Sequence, residues 1–519
     1  MSPHRGSEAG LPSDDGLPAL RPKTNIRNVL YILGISTGML AGGAINAMIA
    51  TTLAQPTFIS YMKLDGSNAT SLIGATNGTF YAGGAIGVFF GSWAADRFGR
   101  RMAMAINAAL SLICSALLAG SVNMTMFIIV RFFTGFGASQ FVTLTPLYQS
   151  EISPPQWRGL MVATMGMSNV IGYNVANWTG VGFYFIPGQQ IQWRMPFVII
   201  CGLCIIVLIL LPFIPESPRW LIMMGRQEEA EAVVRKIHTN SHDADDQFVR
   251  FEINQMERQI QEERELAVSY WQMFADKKWR RRSCLCVLVG FLGQSTGVLV
   301  INNFGPFFYK SLGMNSLQQL YLAGGYNLVG FAMAVVSGFF VDRIGRVKLM
   351  VWGAIAQVGV LCIEAAIIAS FQGADNKSAN IAGIWAFYFY EAIYGLTWDC
   401  TQFIYVSELM PTHLRAKGVT VAIAALYFPD VGYLTATTIA FNRVGWKFFM
   451  IFIAIAPPLI LLLWWWAPET KGKTLEEIGG LFGDHVATGG PGIMTDSPGA
   501  EDEKASIIHV GTRGSEENV

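Results

Sequence analysis

The sequence predicts an all-α membrane protein of twelve transmembrane helices, arranged as two pseudo-symmetric six-helix halves with a cytoplasmic helical linker between them. Three observations predict this. Apolar residues make up 52% of the 519 positions and charged residues only 14%, whereas a soluble domain carries about 25% charged residues. Twelve apolar runs can be marked off, each close to the roughly twenty residues that cross a bilayer. Three charged motifs recur in the same order about 250 residues apart, the internal repeat expected of a chain built from two like halves.

Residues 1–26 are polar, rich in Ser, Pro, Gly and charge, and read as a disordered cytoplasmic tail without a cleavable signal. The first half, 27–214, holds spans at about Val29 to Pro56, 72–95, 102–121, 125–147, 160–185 and 195–214. The sixth span stops at Pro215-Glu216-Ser217-Pro218-Arg219, where two prolines bracket a carboxylate and a cation. Proline lacks an N–H and fixes φ, so a helix ends there. The linker, 215–282, is charged, and Ala230, Val233, Val234 and Ile237 share a helical face, so two or three short helices are expected in it. The second half, 283–467, holds spans at about 284–304, 318–341, 349–370, 382–406, 417–440 and 446–467, and a polar tail, 468–519, begins with a short amphipathic segment from Leu475 to Phe482. All seven cysteines lie in apolar runs; even Cys201-x-x-Cys204 reads as helix packing, with no disulfide framework or metal site.

The repeated motifs are Asp96-Arg97-Phe98-Gly99-Arg100-Arg101 with Asp342-Arg343-Ile344-Gly345-Arg346; Glu151-x6-Arg158 with Glu408-x6-Arg415; and Glu216 of P-E-S-P-R with Glu469 of P-E-T-K-G. Lys and Arg concentrate in the loops that hold these motifs. By the positive-inside rule those loops and both termini are cytoplasmic. The opposite loops carry the glycosylation triplets at Asn68 and Asn376. Arg–carboxylate pairs are directional and bidentate, so the charged set reads as a breakable latch on the cytoplasmic side. A net charge of zero gives no sign of a nucleic-acid partner. No G-x-x-x-x-G-K, H-E-x-x-H or polar G-x-S-x-G supports an enzyme, and no cofactor is expected.

The ordered motif set resembles the sugar-porter branch of the major facilitator superfamily, fungal-type, over about residues 30–480. The resemblance implies transport of a sugar, polyol or sugar acid by alternating access at the plasma membrane, with substrate near the midplane. In span seven, Gln294, Gly297 and Pro306 match the porter stretch Q-Q-x-x-G-x-N-x-x-x-Y-Y-x-P, while Gly293, Leu299, Asn303 and Phe304 depart from it. Gly166 and Phe403 replace an expected Gln and Trp, and Asp430 stands where the family has Asn. The substrate candidates are Gln294, Asn302, Asn303, Asn327, Trp398 and Gln402. Polar groups inside spans either bind substrate or tie helices together. The span-one Asp of proton-coupled relatives is Ile45 here, opposite Arg131, and no His lies in a span. Of the intramembrane carboxylates Glu364, Glu391, Asp399 and Asp430, the last two are the proton-coupling candidates; proton symport and uniport both stay open. The alternatives on the same scaffold are a secondary-metabolite carrier and a non-transporting nutrient sensor.

Overall fold

The computed structural model describes residues 26–483, apart from 67, 154–157, 187, 189, 239–246, 266–267, 372–376, 412–413 and 474. Most of both tails and Asn376 lie outside the described residues. The described residues are helical throughout: α1 (Ile26–Ala54), α2 (Pro56–Tyr61), α3 (Ala69–Phe98), α4 (Arg100–Ala119), α5 (Met124–Ile152), α6 (Arg158–Tyr184), α7 (Ile191–Leu210), α8 (Pro218–Met223), α9 (Gln227–His238), α10 (Gln247–Glu265), α11 (Gln272–Ala275), α12 (Lys277–Ser295), α13 (Val298–Ser311), α14 (Ser316–Ile344), α15 (Arg346–Phe371), α16 (Lys377–Thr397), α17 (Thr401–Leu409), α18 (Arg415–Val444), α19 (Met450–Trp466) and α20 (Leu475–Leu481). Twelve crossings result: α1, α3 to α7, α12–α13, α14, α15, α16–α17, α18 and α19.

Eight stretches are long and apolar enough to cross a membrane on composition alone, with α12–α13 and α18–α19 each counted once. The crossings outside that set are α3, α6 and α16–α17. Their Gly, Thr, Asn and Glu residues lower hydropathy; large apolar side chains such as Ile86, Ile171 and Trp385 stay exposed, while several of the glycines pack against neighbouring helices. Small residues serve that role because they let backbones approach. The first span starts and ends slightly earlier than the sequence suggested, at Ile26 and Ala54. Gln55 is extended at φ −80 and ψ 117, and Pro56 opens α2, since the residue before proline is pushed out of the helical region. In the linker, Ala230, Val234 and Ile237 are buried, and Ala230 and Val234 pack with Trp220, Leu221, Val249 and Ile253 as a small core of their own.

The two halves meet along α3–α18, α6–α14 and α1–α13. The contact is tightest at the end opposite the Lys/Arg clusters. There a Cβ on Gly74 or Gly78 of α3 would fall on Thr435 of α18. The Thr438 hydroxyl donates to the Thr70 carbonyl at 2.7 Å. Trp178 of α6 packs on Tyr321 of α14, ring centroids 6.4 Å apart, beside Gly324. Ala54, Val181 and Leu320 close the same end as an apolar plug. At the basic end, Tyr270 from the linker sits between the halves. Its ring meets Phe89 of α3 edge-on at 5.6 Å and lies 5.8 Å from the Lys417 ammonium of α18, which donates to the Val268 carbonyl.

Gly78→Leu is expected to force α3 and α18 apart. Overpacking of this kind costs about 1–3 kcal/mol, so the variant should melt several degrees lower in detergent by tryptophan fluorescence; an unchanged melt would show that the seam is not close-packed.

Candidate functional site

Two crossings are interrupted in mid-membrane. Gly297, at φ +90, ends α12 and starts α13, a left-handed conformation that glycine adopts without a Cβ penalty. The carbonyl of Thr296 freed by this break accepts from the Tyr390 hydroxyl of α16 at 2.9 Å, as an apolar surrounding requires. The second break is the turn Trp398 to Cys400 between α16 and α17. Both were expected as unbroken spans; their polar side chains and turn-forming glycine divide them instead.

The breaks face a cavity of about 420 Å³ lying between the two halves. α1, α3, α5 and α6 line it from one side, and α12 to α14 and α16 to α18 from the other. Its wall reaches Gly166, near the start of α6, and Gly338, near the end of α14. Both lie within about two helical turns of the basic end. The opposite end is sealed by the α3–α18 and α6–α14 contacts. The pathway is therefore closed at one end and extends toward the basic end.

Of the sequence candidates, Gln294, Asn302, Asn327, Asp399 and Gln402 line this cavity. Asn302 donates to Asn327 at 3.2 Å, and Gln402 donates to the Tyr394 hydroxyl at 3.1 Å. Asn303 and Trp398 do not line it. Asn303 donates to the Tyr81 hydroxyl at 3.0 Å, and the Trp398 indole donates to the Met350 carbonyl at 2.9 Å, so both join helices. Asp430 is buried behind the wall, with no hydrogen bond to either carboxylate oxygen. Arg131 is 1% exposed, with its guanidinium 4.1 Å from the Phe80 ring centroid and no hydrogen-bond partner. Sequence reasoning passed over Glu391, Tyr173, Tyr394 and Tyr427, which also line the cavity. Glu391 was visible as an intramembrane carboxylate; which face of α16 points inward was not.

The charged motifs form two matching assemblies. In the first half, Arg100 grips Glu151 with two bonds of 2.7 and 2.8 Å; Asp96 lies 3.5 Å from the same guanidinium. Glu216 accepts the backbone N–H of Arg100 at 2.9 Å and of Arg101 at 3.2 Å, so it caps α4 and satisfies N–H groups that a helix start leaves free. Burial pushes the Glu216 carboxyl above its ordinary range, and the N–H bonds from Ser217, Arg101 and Arg100 act against that. The Tyr148 hydroxyl donates to the Pro215 carbonyl at 2.6 Å. In the second half, Arg346 donates to Glu408 at 2.9 Å. Glu469 takes the N–H groups of Arg346, Val347 and Lys348 at 2.8, 3.1 and 3.3 Å. The Tyr405 hydroxyl donates to the Pro468 carbonyl at 3.0 Å. Gly99 and Gly345 stand at φ +90 and +109, and a Cβ on either would strike the capping carboxylate.

The expected latch differs in one respect: these described pairs each lie within one half, not across the seam. Arg97 and Arg343 are exposed; Lys471 donates to the Arg343 carbonyl. The side chains of Arg158 and Asp342 lie outside the described residues; Arg219 and Arg415 are partly buried. Asn68 is exposed at the start of α3, at the sealed end.

A family model described as "Sugar (and other) transporter" matches residues 31–482. The chain is 32% identical over 461 residues to the MFS-type transporter criB of Aspergillus cristatus, covering 87% of this chain and 94% of that one. It is 26% identical to high-affinity glucose transporter 1 of Candida albicans, covering 90% and 89%. An inward-open structure of the xylose transporter XylE from E. coli superimposes with a TM-score of 0.71 at 22% identity, covering 88% and 99%; at that identity the likeness speaks for the fold.

Arg100→Ala would strand Glu151, whose side chain is 7% exposed. Breaking a buried pair costs about 3–5 kcal/mol. The single variant should melt far lower than wild type, and Arg100→Ala with Glu151→Ala should recover part of the loss; additive losses would deny the coupling.

Proposed function

Since the chain belongs to the sugar (and other) transporter family of the major facilitator superfamily, and is a multi-pass membrane transporter rather than an enzyme, we propose that it carries a sugar-like molecule by alternating access through the central cavity. The observation that carries the reading is that cavity: between two like halves, sealed at one end, extending to the other, and walled by amides, hydroxyls and rings. Amides and hydroxyls exchange hydrogen bonds with a polyhydroxylated molecule, and ring faces suit its C–H side. The glucose carrier among the relatives supports a sugar-like cargo.

The basic end is the cytoplasmic end on the positive-inside argument, which makes this an inward-facing arrangement at the plasma membrane with both termini inside and Asn68 and Asn376 outside. Residues 27–214 and 283–467 rock against each other, with 215–282 joining them. In the inward-facing state the carboxylates are held within each half. When the cytoplasmic ends approach, Arg97, Arg158, Arg343 and Arg415 come within reach of the opposite half's acidic groups and latch it. Asp430, with both oxygens unpartnered, and Asp399 are the candidate proton carriers, because a carboxylate in apolar surroundings is readily neutralised by a proton.

The first test is uptake of labelled sugars and polyols in a host without its own hexose carriers, with and without a protonophore. Saturable uptake is expected; its absence with the protein at the surface would favour a sensor and overturn the reading. Glu408→Ala should lower turnover more than binding, about tenfold for a lost charge-assisted bond of roughly 1.4 kcal/mol, and unchanged flux would remove the latch. Asp430→Asn should flatten the pH dependence of uptake, and an intact profile would take Asp430 out of proton coupling.

A further inference from the structure

We propose that the molecule carried through this cavity bears a protonated amine, seated by Glu391 and Asp399. The inference deepens the carrier reading and rests on it. Among the described residues, Glu391 and Asp399 are the only acidic side chains in the cavity wall; no Lys, Arg or His lines it. Two carboxylates share one membrane-embedded chamber with no basic side chain on its wall to pair with, so each is held as a proton carrier or as the partner of a cation brought in by the cargo. Charged groups there are expensive unless something pairs with them.

Glu391 is 8% exposed; the Tyr326 hydroxyl lies beside its carboxylate, and its Oε2 makes no hydrogen bond of normal geometry. Its Oε1 lies against Gly330 of α14, where a Cβ would collide with it. The glycine therefore keeps open the place the carboxylate occupies. Asp399 reaches the same cavity from the turn that interrupts α16–α17, a break that spends regular helix to place this residue.

The remaining unsatisfied atoms on the wall point the same way. Gln294 is 2% exposed with an unpartnered Oε1, and Asn169 Oδ1 is also without a partner. All are acceptors. An ammonium offers three donors and no acceptor, so it suits this set better than a hydroxyl, which brings lone pairs as well. Tyr173, Tyr394 and Phe403 also line the cavity, and aromatic faces attract cations. A sugar acid or sugar phosphate would bring a negative charge of its own to a wall of acceptors with no cation and is disfavoured. The volume of about 420 Å³ lies at the small end for ligand pockets and suits a molecule of monosaccharide size.

The test is binding to the purified full-length protein and uptake into proteoliposomes, at a pH that keeps amines protonated. The probes are glucosamine, N-acetylglucosamine, glucose and glucuronate. Glucosamine should bind about tenfold or more tighter than N-acetylglucosamine, the order of one charge-assisted bond, with glucuronate weakest. Glu391→Gln should bring the glucosamine to N-acetylglucosamine ratio toward one. If that variant does not fold by its thermal melt, Asp399→Asn provides the same reading. Equal affinity for the amine and its acetylated form, or a preference that survives both substitutions, overturns the inference while leaving sugar transport standing. Failure to bind or carry any of the probes, with the protein folded, overturns both readings.

Discussion

Each half depends on a carboxylate held under the first turn of a neighbouring helix. Glu216 leaves the sixth crossing and turns back to cap α4; Glu469 leaves the twelfth and caps α15. The connection works because the preceding residue is a glycine of positive φ with no Cβ in the way. The cap joins the exit of the last crossing in each half to the entrance of the third. The Arg100–Glu151 and Arg346–Glu408 pairs add the fourth. Helices packed largely by apolar contact, in a solvent as apolar as themselves, thereby acquire directional attachments at one end that tie each half together.

The cavity shows the complementary design. Away from the charged end, the helices that line it give up regularity. α12–α13 and α16–α17 break where polar atoms are wanted, and a tyrosine supplies the hydrogen bond that one break removes. Part of the polar wall is thus built from an interruption in secondary structure, which lets Asp399 reach the cavity from the turn between α16 and α17.

The fold was legible in the sequence because its signals are local and repeated: apolar length, prolines at span ends, and three charged motifs in order. The linker face was legible for the same reason, through its helical period. The site was only partly so. Gln294, Asn302, Asn327, Asp399 and Gln402 could be picked out as polar groups in apolar runs, but Asn303 and Trp398 look alike by that criterion and turn out to join helices. Glu391 met the criterion and still did not stand out, since the direction of a side chain around a buried helix is set by its neighbours. The charged residues could be named but not paired: Arg100 could have faced several carboxylates, and only the packing of α4 on α5 selects Glu151.

The two ends of the pathway are built from different kinds of contact. At the sealed end the described contacts are glycine against backbone, hydroxyl to carbonyl, and ring on ring. Such contacts depend on shape and close approach, and ionic strength leaves them nearly untouched. They answer instead to whatever squeezes or spreads helices sideways, such as the thickness and lateral pressure of the surrounding lipid. The opposite end carries the fixed charges, whose exposed members ionic strength screens. One molecule thus presents a close-packed seal at one end of the pathway and a cluster of fixed charges at the other.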